Sequence, residues 1–162
     1  MLSDNYSPYI NLTDHNLLKE LVTMPIIGMG LSMLEAKKEG TRMQQQEVKV
    51  NSTPQITGVK EVEVPNLTKK ALSMDFEFMT RYEPDFASIA IKGSIMYLAE
   101  KNKPIIDEWD KNKRLPDNVS LEVLNYLFRH CLLKASILAD DLQLPPPMPM
   151  PRVTPNKSKQ VS

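Results

Sequence analysis

The chain has 162 residues, with 20 Lys and Arg balanced by 20 Asp and Glu, 41% hydrophobic residues, 13 prolines and a single cysteine. This length supports one compact domain, or one domain with a small companion, and zero net charge argues against a general polyanion binder, whose affinity needs clustered, unpaired cations. The apolar runs fall far short of the ~20 residues of a membrane helix, Met1-Leu-Ser-Asp-Asn-Tyr6 carries no signal-peptide pattern, and the lone Cys131 fits a reducing compartment.

In chain order, Thr13 and Asp14 are placed to cap a helix through Leu17, Leu18, Leu21 and Val22 that Pro25 ends. Ile26 to Leu31 is apolar and turn-prone, and Ser32 to Lys38 suits a helical turn or two. Gly40 to Gly58 reads as a connector with weak strands, and Val59 to Val64 alternates apolar and charged residues as an edge or half-buried strand does, closed by Pro65. Beyond Pro65 the spacing predicts helices. Asn66 is an N-cap candidate for Leu67, Ala71, Met74, Phe78 and Tyr82. Phe86, Ile89, Ala90, Gly93, Met96 and Tyr97 form a second stripe, Pro104 opens a short third helix with Ile105, Ile106 and Trp109, and Asn118 to Gln143 makes the last and strongest one.

The fold class expected is therefore α+β, mainly α. A small strand-containing domain over residues 1–64 precedes a helical domain of about four helices over 65–143 and a proline-rich tail over 144–162. The tail holds Arg152, Lys157 and Lys159 and no acid, so the body is mildly acidic. Pro146-Pro-Met-Pro149 has the P-x-x-P spacing of a polyproline II ligand, although Arg152 misses a common register for its cation and a passive spacer fits better.

The residues offer little catalytic chemistry. Metal sites need several ligands at set spacings, whereas the chain has only Cys131, His15 and His130 besides its carboxylates. Cys131 falls on the apolar stripe of the last helix, where a thiol packs as a small hydrophobe. Gly28-Met-Gly30 lacks the third glycine and the lysine of a phosphate loop and reads as a turn. Asp107-Glu108 and Asp140-Asp141 are adjacent pairs that diverge on a helix and are solvated. No enzyme, cofactor, metal or small-molecule substrate is expected. The last helix has more apolar surface than one buried face needs, so Leu121, Leu124, Leu127, Phe128, Leu132, Leu133 and Leu138 are the candidate subunit interface.

The order of local motifs resembles the GINS complex of eukaryotic DNA replication, specifically a Psf-three-type subunit. The residues that carry the resemblance are Asn5-Tyr6, Tyr9-Ile10, Asp14 and Leu17-Leu18, then Ile27-Gly-Met-Gly-Leu31 with Leu34-Glu35. They continue with Ile56-Thr-Gly-Val-Lys-Glu-Val-Glu-Val-Pro65 and the helix from Leu127-Phe-Arg129 to Leu138-Ala-Asp-Asp141. The family's Leu-Trp after the strand-ending proline is missing, since Trp109 is the only tryptophan. The resemblance implies a non-catalytic structural subunit, located in the nucleus. Its partners would be the other GINS subunits and, through the assembled helicase, Cdc45 and the Mcm hexamer, with indirect DNA contact. The alternative is a helical adaptor whose proline-rich tail binds a partner domain.

Overall fold

Four strands and two helices make up residues 25–39 and 47–148, the part of the chain that the computed structural model describes. The strands are β1 (Ile26–Lys38), β2 (Lys49–Val62), β3 (Ala71–Glu83) and β4 (Ala87–Tyr97), and the helices are α1 (Lys103–Asn112) and α2 (Asp117–Asp141). One antiparallel sheet runs in the order β1-β4-β3-β2, so β1 and β2, consecutive in sequence, lie at opposite edges.

Period two decides β3 and β4. Leu72, Met74, Phe76, Phe78, Thr80 and Tyr82 turn to the helices and are buried, whereas Asp75, Glu77, Arg81 and Glu83 turn to the other face or the rim. Ile89, Ile91, Ile95 and Tyr97 do the same in β4. In an antiparallel sheet with one covered face, such alternation puts the large aliphatic and aromatic side chains of these strands on the core side. The other face is mixed: Ser73, Ser88 and Ser94 share it with the half-buried Met33, Met79 and Met96, around a Lys92–Glu77 ion pair at 3.2 Å between directly opposed residues.

Helix α2 closes the core with a stripe of every fourth residue: Val119, Val123, Leu127, Cys131, Ala135 and Ala139 are all buried against the sheet. Phe128 meets Phe78 edge-on at 5.8 Å between ring centroids. Beyond α2, Gln143 takes a left-handed conformation (φ 55°) and the chain turns back onto the sheet. There Leu144 is buried, Tyr82 Oη donates to Pro145 O at 2.7 Å, and Lys38 Nζ donates to Leu142 O at 3.0 Å.

These elements correct the mainly helical expectation. The segments spaced as helices from Leu67 to Tyr82 and from Phe86 to Tyr97 are strands, and Ile26 to Lys38 is a strand throughout, with Gly28 and Gly30 inside it rather than in a turn. Asn66 caps no helix; it takes φ 69° in the connection between β2 and β3, a conformation that asparagine tolerates better than most residues. Strand β2 runs uninterrupted through Pro54, which an edge strand accommodates because a missing N–H can face outward. The two expected C-terminal helices are present as α1 and α2, and no described helix is long and apolar enough to cross a membrane. The helix expected after Thr13, and the tail from residue 149 onward, lie outside the described residues.

Burial pushes the Tyr82 hydroxyl up to about 12, while an unfolded tyrosine ionises near ~10. Between these values the folded chain keeps a proton that the unfolded chain has lost, so stability falls as pH rises through that window. Tyr82→Phe removes this contribution together with the bond to Pro145. Urea unfolding should find the variant about 1 kcal/mol less stable at neutral pH, with a shallower loss of stability from pH ~10 to ~12.

Candidate functional site

The two sheet edges differ in how they are protected. Along β2 stand Lys49, Pro54, Lys60 and Glu61, with a register shift between Ile56 and Gly58. Charges, proline and bulges are the usual devices that keep an edge from pairing with other chains. Strand β1 is bulged as well, between Ile26 and Gly28 and between Leu31 and Met33, but it has no charge and no proline from Ile26 to Leu34, and its charged residues come only at Glu35, Lys37 and Lys38. No described element covers its outer edge, and among the described residues β4 is its only partner in the sheet.

Register places Ile26, Met29, Leu31, Leu34 and Ala36 of β1 opposite Tyr97, Ile95, Gly93, Ile91 and Ile89, on the helix side of the sheet. Leu34 remains 50% exposed there. Gly93 is what lets β1 approach: a Cβ at that position would collide with the Gly30 carbonyl oxygen and crowd Leu31 Cα at 3.1 Å. A register shift lies between Leu31 and Met33, beside this close contact, so the uncharged half of β1 is both tightly seated and bulged.

A groove of about 490 Å3 lies at the end of the sheet where β1 begins, lined by Pro25, Tyr97, Leu98, Pro104, Ile105, Pro116, Val119 and Glu122. Tyr97 Oη donates to Glu122 Oε2 at 2.8 Å. Burial, and then the bond to the Glu122 carboxylate, raise the Tyr97 hydroxyl well above the ordinary tyrosine range. The groove thus combines apolar walls with Glu122, already engaged, and with Glu100, Lys101 and Asn118.

The structure separates the residues singled out from the sequence. Leu121 and Leu133 are 64% and 60% exposed on α2, Leu127 is fully buried against the sheet, and Leu124, Phe128, Leu132 and Leu138 are half-buried along its flanks. They do not form one outward patch. The outer stripe also includes Ile137, 65% exposed, which the sequence reading passed over. Cys131 packs in the core, its thiol pushed up to about 11 by burial. His130 stacks on Tyr126 at 4.1 Å between centroids. Asp107 and Asp140-Asp141 are solvated, and Glu108 is half-buried. Among the described residues no cluster of His, Cys, Asp or Glu is suited to hold a metal.

No protein-family model matches this chain, and no curated protein matches it. Among solved structures, the chain is similar to a SecB-like chaperone of Mycobacterium tuberculosis, solved in complex with a ChAD peptide from an antitoxin. That likeness has a TM-score of 0.49 at 14% identity and covers 80% of this chain and 90% of that one. The resemblance to GINS is overturned by the sheet: two of the segments assigned to helices of that family are β3 and β4, hydrogen-bonded to each other and to both edge strands. The helicase role, the GINS, Cdc45 and Mcm partners and the helical-adaptor alternative fall with it.

Because Gly93 seats β1, Gly93→Ala should push that strand away from β4. The expected cost is about 1 to 3 kcal/mol of stability, the range for overpacking at a tight contact. Thermal unfolding measures the loss, and amide exchange should show it concentrated in β1, with β2 and β3 holding their protection.

Proposed function

We propose that this chain is a non-catalytic polypeptide-binding protein that takes an extended segment of its partner onto the open edge of β1. The observation that carries this reading is the contrast between the edges: both are bulged, but β2 is set with Pro54 and the polar Asn51, Ser52, Thr53, Gln55 and Thr57 between its terminal charges, whereas β1 is proline-free, uncharged and almost wholly apolar from Ile26 to Leu34. An undefended edge offers a row of backbone N–H and C=O groups, and a partner strand that satisfies them gains main-chain hydrogen bonds largely independent of its sequence. Selectivity then comes from alternate side chains. Those on the helix side of an added strand lie beside Leu31 and the half-exposed Leu34, so aliphatic residues at every second position are favoured. On the opposite face Gly28 and Gly30 leave room for larger groups.

The test uses a reduced, alkylated unfolded protein carrying a fluorophore as the probe, with binding read by anisotropy. Gly28→Lys/Gly30→Lys gives β1 the edge charges it lacks, and neither new Cβ would meet another atom within 4 Å, so the fold is retained. The pair should weaken binding by roughly tenfold or more, the loss of ~1.4 kcal/mol or above, at an unchanged unfolding midpoint. Equal affinity of the parent and the double variant, or no binding by the parent, rejects the proposal.

A further inference from the structure

Helix α2 carries a second exposed surface, independent of the β1 edge. Leu133 and Ile137, 60% and 65% exposed, sit one turn apart on its outer side. Arg129 and His130 frame them toward the N-terminus, and Asp140 and Asp141 toward the C-terminus, all four exposed. Two properties set this surface apart from an ordinary solvated helix face.

The first is an electrostatic conflict. The last turn of α2 has no basic residue and ends in two adjacent carboxylates, although the negative pole of the helix dipole favours cations there. The ion pairs among the described residues join Lys37 to Glu35, Lys70 to Glu61 and Lys92 to Glu77, and none of them engages Arg129, Asp140 or Asp141.

The second is self-complementarity. Arg129, Leu133, Ile137 and Asp141 follow at a constant spacing of four and so lie on one ridge of the helix. A second α2 laid antiparallel across a two-fold axis between Leu133 and Ile137 sets Leu133 against the partner's Ile137. The same register sets Arg129 against the partner's Asp141, and His130 against the partner's Asp140. A parallel arrangement would bring like charges together.

We infer that the outer C-terminal half of α2 is an interface with a second copy of this chain, packed antiparallel with Leu133 and Ile137 at its centre and Arg129–Asp141 pairs at both ends. Each copy supplies the cation that the other's helix terminus lacks, and the symmetry closes the assembly at two. The contact spans only about three turns of helix, so the dimer is expected to be of micromolar rather than nanomolar strength.

Sedimentation equilibrium of the full chain, over a concentration series through the micromolar range, reads the result. The parent should show a monomer–dimer equilibrium. Arg129→Asp and Asp141→Arg should each weaken it by roughly tenfold or more, because each reversal opposes like charges at both symmetric ends. Both side chains are exposed, and circular dichroism should show α2 intact. The combined variant only exchanges the partners of each pair and should return the dissociation constant to within a few-fold of the parent's. A parent that stays monomeric, a dimer indifferent to the single reversals, or a combined variant as weak as either single one overturns the inference. So does a dimer abolished by Gly28→Lys/Gly30→Lys, which would belong to the β1 edge.

Discussion

Everything in this molecule hangs on the contact between one stripe of α2 and one face of the sheet. Val119, Val123 and Leu127 fill the first half of that stripe, and Cys131, Ala135 and Ala139 the second. Toward the C-terminal end, where the stripe is made of smaller side chains, Leu144 and the hydroxyl of Tyr82 complete the packing. Burial of this apolar surface, at about 25 cal/mol per Å2, is the main favourable term. With the helices on a single side among the described residues, the other face of the sheet can hold the charged Lys92–Glu77 pair among its serines and methionines.

That one-sided architecture explains where the sequence was legible and where it misled. Met74, Phe78 and Tyr82 recur every four residues, a spacing that belongs to both a helix face and a strand face, since four is twice two. Leu72 and Phe76 break the tie toward a strand, because on a helix they would fall on the side away from Met74, Phe78 and Tyr82, whereas on a strand all five share one face. In β4 the isoleucines at 89, 91 and 95 carry the same alternation and the β-branched shape that strands favour. Helix α2 was legible because its apolar residues do not alternate, and because Pro116 and the Leu144-Pro-Pro-Pro run bound it on both sides.

Which apolar residues of α2 stay exposed was legible only in part. An excess of leucine along α2 marks a helix with several apolar contacts, but it does not say which residues the sheet has already covered. Leu127 went to the core, Phe128 to Phe78, and only Leu121 and Leu133 of the seven face outward. The β1 edge left a weaker mark. Its uncharged run is visible in the sequence, yet its significance depends on β1 being an edge, which follows from topology rather than from local pattern. Two strands consecutive in sequence normally invite pairing with each other, and here they occupy opposite margins of the sheet.

The two unprotected surfaces point in different directions. An edge strand offers its hydrogen bonds within the plane of the sheet, whereas the outer ridge of α2 looks away from that plane. Association through α2 therefore leaves β1 open in both copies, and one partner chain long enough to reach both edges would bind the second intramolecularly. The gain is set by the length of chain between its two extended segments rather than by any new contact. A weak helix-mediated dimer thus suits a weak, sequence-tolerant strand site: each interaction alone releases readily, and the two together retain a long polypeptide better than a short one.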